Sequence, residues 1–304
     1  MVTTRDKPPR GSLPHRLPPP RRDTRKPAFD MPAGACDTHF HIYFPESDFP
    51  LRPDRRYTPV NATLEDYLPT MTTLGLSRGV VVTGSANLDN EPTLAAIARM
   101  SPAFKGVALV GADVTDGELA RLHAGGMTGF RVSTVSVGGL GPSHLAPLAK
   151  RVAALGWHAE VHVHDVAEIL DLLPILKTLA IPYCLDHLGQ LSPGSDPRAL
   201  RAICDLLAGD EHCYVNLYGF YHVSRAGPPR YDDILAVARA LIEARPSGIL
   251  WGSNWPHSSI DVAVPNDGDL LDFLLAAAPD PLHRRLILAD NPARLYGWSD
   301  QDGL

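Results

Sequence analysis

The sequence predicts an α/β protein that folds as a (β/α)8 TIM barrel, a single domain over residues 31–304. Three observations predict it: eight short runs rich in β-branched residues, amphipathic helical patterns between them, and a length that suits eight strand–helix units. A doubly wound sheet usually has fewer such units. The predicted strands cover 35–43, 79–83, 106–111, 129–134, 158–164, 182–187, 213–219 and 248–254.

Helices are predicted between these strands. Segments such as TLEDYLPTMTTLG and HLAPLAKRVAALG repeat apolar residues at helical spacing and end in glycine, which commonly stops a helix. The last stretch, 281–298, predicts one more helix that ends before Asn291-Pro292 and packs on the barrel.

Composition limits the class of protein. The 304 residues are 44% hydrophobic, and no apolar run approaches the roughly 20 residues of a membrane-spanning helix. The N-terminus lacks the apolar stretch of a secretory signal, so we expect a cytoplasmic enzyme with no membrane role. The four cysteines have no CxxC spacing, which predicts buried thiols. The sequence leaves the oligomeric state open.

Residues 1–30 differ from the rest of the chain. They contain eight Lys or Arg, three Asp and seven prolines, which predicts a disordered basic arm. The whole chain carries a net charge of −6, so the remaining domain is more acidic still. This charge argues against nucleic acid as a partner.

Histidines gather at the predicted carboxyl ends of the strands, where catalytic groups of such barrels lie. Residues two apart on a strand point to the same side, so the HFH and HVH segments can each present two imidazoles to one cavity. We therefore expect an active site there, and its strand-end residues are His39, His41, His162, His164, His187, Asn254 and His257.

Several motifs resemble the amidohydrolase superfamily. They include DTHFH on the first strand, DHLG on the sixth and WGSNWPH on the eighth, supported by RRYTP, GGMTGFR and NPARLYGW. The likeness covers about Pro32 to Trp298 and is greatest to the branch that contains pyrone-dicarboxylate lactonases and galactarolactone isomerases. It implies a small-molecule lactone, or its open acid, as the partner.

The resemblance implies roles for the catalytic residues. In the lactonases of this branch, histidines matching His39, His41 and His187 polarise the lactone carbonyl without a metal, while an aspartate activates water. Asn254 stands at the aspartate position, and a neutral amide cannot take a proton from water. Hydrolysis would then need another general base, for which His257 and His164 are the candidates.

Three functions stay open on this pattern. A lactone-opening hydrolase is favoured because the histidine motifs match the lactonases. A lactone isomerase is the alternative, since the isomerases also carry asparagine and intramolecular hydroxyl attack needs less base. A ligand-binding barrel that has lost catalysis is the third possibility.

Substrate-binding residues also follow from the resemblance. Arg131 matches one of three arginines that hold a dicarboxylate in the lactonases, whereas Val137 and His222 stand where the other two are expected. We therefore expect a neutral or monoanionic lactone rather than a dicarboxylated pyrone. The residues expected to bind substrate are Tyr57, Ser85, Arg131, His162, His164, Tyr218, Tyr221 and His222.

No metal is favoured, although zinc or manganese remains the alternative. The expected ligands would be His39, His41, His164 and His187, since imidazoles suit these metals, but the carboxylate that commonly completes such a site is replaced by Asn254. Strand alternation predicts a structural role for Asp186 on the opposite face from His187, and Glu160 is interpreted as polar packing of the barrel rather than as a base.

Overall fold

The computed structural model describes residues 15–136, 139–258, 260, 263–299 and 302–303. Its core is one sheet of eight parallel strands paired in chain order, each with its neighbour along the sequence. The predicted (β/α)8 fold is confirmed. The strands are β1 Cys36–Phe40, β2 Arg78–Val82, β3 Phe104–Ala108, β4 Met127–Ser133, β5 His158–His162, β6 Tyr183–Leu185, β7 Cys213–Leu217 and β8 Ile249–Trp251.

Helices follow the strands and cover the outside of the barrel. Each packs its apolar face on the sheet, and the N-caps include Thr115, Asp165 and Asn266, whose side chains accept a backbone N–H of the first turn. The helices are α1 Leu64–Leu74, α2 Glu91–Met100, α3 Asp116–Ala124, α4 Leu145–Val152, α5 Val166–Leu176, α6 Pro197–Gly209, α7 Leu235–Ala244 and α8 Asp267–Ala277.

The barrel closes between β1 and the segment that follows β8. The Asn254 N–H donates to the His39 carbonyl (2.8 Å), and the His41 N–H donates to the Trp255 carbonyl (2.7 Å). Gly252 lies between them, and a Cβ there would come within 2.9 Å of the His39 backbone nitrogen. This close approach therefore needs glycine, and it joins the first histidine motif directly to Asn254.

The end of the chain differs from the prediction. The helix does not stop before Asn291-Pro292: α9 Pro281–Arg285 continues through a π-helical turn, Leu286–Asp290, into α10 Asn291–Tyr296. Pro292 lies in the first turn of α10, where its missing N–H costs little. Tyr296 and Trp298 then pack against Cys36 and Val80 at the amino-terminal end of the barrel.

The predicted disordered arm also differs in its second half. Residues 1–14 lie outside the described residues, but 15–30 run along the barrel. His15–Arg16 pairs in parallel with Tyr57–Thr58, and the Arg25 side chain donates to Asp272 at 2.7 Å and to Asp269. Arg25 is thus held by two carboxylates of α8, a long-range contact that local composition does not reveal.

Within the described ranges, no helix combines the length and the apolar character that crossing a bilayer requires.

Candidate active site

The candidate site lies at the carboxyl ends of the barrel strands. β1 supplies His39 and the turn after it His41, β5 supplies Glu160 and His162, and the ends of the remaining strands supply the rest. Most of these side chains are buried, while Tyr57, Ser85, His162 and Tyr221 are half-buried and His222 is exposed. The site therefore has a buried floor of imidazoles and a more open rim of hydroxyl and aromatic groups.

The imidazoles are packed against one another and against Tyr218. The His39 ring stacks on Tyr218 with centroids 4.0 Å apart, and His187 meets the edge of the same ring at 4.4 Å. His187 also lies 5.2 Å from His162 and 4.8 Å from His222, centroid to centroid. Of the predicted residues, the structure thus brings these five together in one cluster.

Burial holds the imidazoles of the floor neutral. Desolvation is the largest effect lowering the pKa values of His39, His41, His162 and His187 well below the usual histidine range, and the nearby charge of Arg131 lowers all four further. A neutral imidazole has one N–H and one lone pair, so the tautomer of each ring decides whether it donates or accepts.

His41 has a defined tautomer. Its Nδ1 lies 2.7 Å from the Val82 carbonyl oxygen, which can only accept, so Nδ1 carries the proton. In the neutral ring, Nε2 therefore carries the lone pair. His41 can accept a proton at that atom but cannot donate a hydrogen bond from it.

His162 has the opposite arrangement. The Ser133 hydroxyl oxygen accepts the N–H groups of Val135 and Ser136, which leaves its proton to donate to Nδ1 of His162 at 3.2 Å. Nε2 of His162 then carries the N–H. His164 lies two residues further on, beyond the end of β5, and its side chain is exposed. Among the described contacts, none joins His164 to the imidazole cluster.

The floor also holds one guanidinium, that of Arg131, and two carboxyl groups, those of Asp186 and Glu160. Arg131 donates to one oxygen of Asp186 from Nε (3.2 Å) and Nη2 (2.6 Å), and its Nε lies 3.6 Å from Glu160. Burial raises the pKa of Asp186, while Arg131 acts against that effect. Arg131 was expected to bind substrate, but its guanidinium is buried and bonded within the protein.

Asp186 does not point away from the site. It faces Arg131 in the barrel interior, although His187 beside it also reaches the site. Strict alternation fails here because the chain leaves the strand after Leu185, and His187 has φ +50°. Gly219 makes room for the redirected ring, since a Cβ at Gly219 would lie 2.4 Å from Nδ1 of His187. The sequence interpretation of Asp186 is corrected on this point.

A chain of hydrogen bonds holds Asn254. Its amide nitrogen donates to the Tyr221 hydroxyl (2.7 Å), Tyr221 lies 3.2 Å from Nδ1 of His257, and Nε2 of His257 lies 3.0 Å from Asp267. Because the Asp267 carboxylate accepts from Nε2–H, Nδ1 accepts from Tyr221, and Tyr221 accepts from the amide. Both ring nitrogens of His257 therefore make hydrogen bonds. The side-chain oxygen of Asn254 takes no part in this chain of hydrogen bonds and can accept from another group.

A cluster of hydroxyl groups forms another wall. Tyr43 and Tyr57 share a 2.8 Å hydrogen bond, Ser258 donates to Tyr43 at 3.3 Å, and Ser85 donates to Tyr57 at 3.5 Å. Tyr43, Ser258 and Asp267 were not predicted from the sequence as site residues. Tyr43 could have been found, because it continues the alternation of His39 and His41.

One group in the described part of the chain could hold a metal ion. Ligand atoms of His39, Glu160 and Asp186 lie within 4.8 Å of one another, a different set from the four histidines expected. These residues do not fit a divalent ion well, because the Arg131 guanidinium already contacts both carboxylates and would repel a second cation there. His164 is exposed and adds no ligand to the floor.

Comparison with known proteins gives a family and several close relatives. Residues 36–298 match the amidohydrolase family. The 4-sulfomuconolactone hydrolase of Hydrogenophaga intermedia is 36% identical over 277 residues, which cover 88% of this chain and 90% of that protein. The 2-pyrone-4,6-dicarboxylate hydrolase of Comamonas testosteroni is 31% identical, with 91% and 94% covered.

An isomerase is about equally similar. The D-galactarolactone isomerase of Agrobacterium fabrum is 32% identical, over 90% of this chain and 94% of that protein. A crystal structure from Agrobacterium tumefaciens, determined without ligand, superposes with a TM-score of 0.83 at 31% identity and covers 92% of this chain and 99% of the other. The resemblance inferred from the motifs is confirmed, and the chain belongs to the amidohydrolase family.

Proposed function

We propose that the protein is a metal-independent lactone hydrolase. The observation that carries this proposal is the tautomer of His41. Asn254 cannot take a proton, and both nitrogens of His257 are engaged, so hydrolysis needs another base. Nε2 of the neutral His41 ring carries a lone pair at the same end of the barrel, because the Val82 carbonyl fixes the proton on Nδ1.

The reaction then proceeds by proton transfer through His41. Water attacks the lactone carbonyl carbon and gives one proton to Nε2 of His41, while the Asn254 oxygen accepts its other O–H. His39 and His187 stabilise the oxyanion of the tetrahedral intermediate. The ring C–O bond breaks when the intermediate collapses, and the leaving alkoxide takes the proton from His41, which yields an open hydroxy acid.

A lactone isomerase is the second candidate. The same His41 base would deprotonate a hydroxyl of the substrate instead of water, and the Asn254 oxygen would orient that hydroxyl. The 32% identity to a D-galactarolactone isomerase supports this alternative. The 36% identity to a sulfomuconolactone hydrolase supports hydrolysis.

The substrate is a neutral or monoanionic lactone. Arg131 is the positively charged group of the floor, and the Asp186 carboxylate that is hydrogen-bonded to it already offsets its charge. A substrate with two carboxylates would therefore meet little positive charge at the floor. The hydroxyl cluster of Tyr43, Tyr57, Ser85 and Ser258 instead suits hydroxyl groups of a lactone.

Product analysis in ¹⁸O-labelled water tests the proposal. The purified protein would be incubated with 4-sulfomuconolactone, D-galactarolactone and 2-pyrone-4,6-dicarboxylate, and the products read by mass spectrometry. We expect one labelled oxygen in an open-chain acid. The monoanionic D-galactarolactone should react faster than 2-pyrone-4,6-dicarboxylate and 4-sulfomuconolactone, which each carry two negative charges. An unlabelled lactone of altered ring size would support the isomerase instead. Tight binding of a lactone without any turnover would support a barrel that has lost catalysis.

A further inference from the structure

Glu160 is a fully buried acid at the centre of the site. Its side chain on β5 is inaccessible to solvent, and neither carboxyl oxygen has a hydrogen-bond partner among the described residues. Oε1 lies 3.5 Å from Nδ1 of His39, and Oε2 lies 3.6 Å from Nε of Arg131. Both ring nitrogens of His39 are likewise without a hydrogen-bond partner in the described structure. Glu160 and His39 therefore each face a possible hydrogen-bond partner in the other.

The local charges indicate which form Glu160 takes. Two buried carboxyl groups face one guanidinium, and Arg131 donates hydrogen bonds from Nε and Nη2 to Asp186. Two carboxylates beside one cation would leave an unbalanced negative charge in a dry interior, which is costly. Burial raises the pKa of both carboxyl groups, that of Asp186 to about 7, while Arg131 lowers both pKa values and His158 also lowers that of Glu160. Arg131 hydrogen-bonds to Asp186 but lies 3.6 Å from Glu160 without a hydrogen bond, so the geometry favours the negative charge on Asp186 and the proton on Glu160.

A protonated carboxyl beside a neutral imidazole defines that imidazole's tautomer. The carboxylic acid donates, so Nδ1 of His39 must accept, and the ring proton must then lie on Nε2. We propose that Glu160, as the neutral acid, donates to Nδ1 of His39 and so holds His39 in the Nε2–H tautomer, making it a hydrogen-bond donor to the lactone carbonyl. Glu160 is a positioning residue, since it acts through His39.

The two histidines of the first-strand motif then have opposite roles. His41 is held as an acceptor at Nε2 by the Val82 carbonyl, whereas His39 is held as a donor at Nε2 by Glu160. Their rings lie 5.0 Å apart at an interplanar angle of 88°. His39 on β1 can therefore donate a hydrogen bond to the oxygen of a substrate carbonyl group, while His41 in the following turn accepts a proton from the attacking nucleophile. The role of His39 toward a lactone rests on the proposed function, but its tautomer does not.

Nitrogen-15 NMR of histidine-labelled protein tests the tautomer directly. Two-bond ¹H–¹⁵N spectra distinguish a protonated from an unprotonated ring nitrogen, and the signals of His39 would be assigned by their loss in His39→Gln. We expect Nε2–H with unprotonated Nδ1 in the wild type. The same pattern is expected in Glu160→Gln, because Arg131 draws the amide oxygen to its own side and leaves the NH2 group facing Nδ1. In Glu160→Leu, the Nε2–H pattern should be lost or mixed.

Activity gives a second readout. Glu160→Leu should lower kcat by about 10- to 100-fold, the usual size for losing the partner that orients a functional histidine, and Glu160→Gln should restore most of it. Glu243→Leu, on the exposed face of α7, is the matched control and should leave both readouts unchanged. A wild-type His39 that carries its proton on Nδ1, carries two protons, or keeps Nε2–H unchanged in Glu160→Leu would overturn the proposal. Because the spectra need no substrate, these results stand apart from a failure to find lactone turnover.

Discussion

The side-chain nitrogen of Asn254 donates a 2.7 Å hydrogen bond to the hydroxyl of Tyr221. Tyr221 is hydrogen-bonded to His257, and His257 to the buried carboxylate of Asp267. This chain of three hydrogen bonds determines the orientation of the Asn254 amide. The relationship explains how an asparagine can serve where related lactonases are expected to carry aspartate. In the proposed mechanism, Asn254 orients the nucleophile through its side-chain oxygen and another group removes the proton.

Replacing Asn254 by Asp should add a base beside the nucleophile. We expect Asn254→Asp to raise lactone hydrolysis or, if the native enzyme isomerises, to divert lactone toward the open acid. Labelled-water product analysis measures this ratio. Asn254→Ala is the control that removes the oxygen altogether, and it should lower both reactions. An Asp variant with less open acid than the Ala variant would contradict the assignment.

His39 and His187 should each contribute strongly to turnover. Replacing either with Ala removes a donor to the developing oxyanion, which typically lowers kcat by about 100- to 1,000-fold. Steady-state kinetics with circular dichroism as a check of folding would measure the loss. The exposed His164 offers a matched control, and His164→Ala should stay close to the wild-type rate. Near-normal rates in both buried variants would refute the oxyanion role.

The base His41 should impose an acidic limb on the pH profile. His41 must be neutral to accept a proton, so activity is lost as the pH falls through its pKa and is fully present above it. Burial, followed by His39 and Arg131, lowers that pKa well below the usual value of 6.5. The plot of kcat/KM against pH should therefore be flat through neutral pH and fall only in more acidic solution. A loss of activity centred at or above pH 6.5 would speak against His41.

Activity should survive metal removal. The proposed mechanism uses no divalent ion, and the Arg131 guanidinium supplies positive charge beside Asp186 and Glu160. Dialysis against a chelator should leave the rate unchanged, and elemental analysis should find less than one zinc or manganese per chain. Activity that disappears on dialysis and returns with one metal would overturn metal independence.

Asp37 should be the main polar anchor beneath the site. Its carboxylate accepts from the backbone N–H groups of His39 (3.1 Å) and Ser253 (2.9 Å), the Tyr67 hydroxyl (2.8 Å) and the Ser253 hydroxyl. In Asp37→Asn, an NH2 group would face donors, which should lower the free energy of unfolding by about 1–3 kcal/mol. Urea unfolding measures this, with exposed Asp205→Asn as a control expected to change it little. An Asp37→Asn protein as stable as the wild type would contradict the role.

Much of the fold could be predicted from local sequence. All eight strands were predicted within a few residues of their observed bounds, because β-branched runs and glycine-terminated helical patterns are signals carried by neighbouring residues. The same local signals placed His39, His41, His162 and His187 at the strand ends. They do not reveal distant contacts, such as the hydrogen bonds that Arg25 and the Ala28 backbone N–H donate to Asp272 of α8.

The chemistry of the site depended on the tertiary structure. Residue types determined that imidazoles, one arginine and an asparagine would gather at one end of a barrel. Only the fold decided that Arg131 is bonded to Asp186, that His164 is exposed, and that Val82 faces His41 while Glu160 faces His39. The physical reason is that the protonation and direction of a hydrogen bond depend on the group opposite, and in a barrel that group comes from another strand.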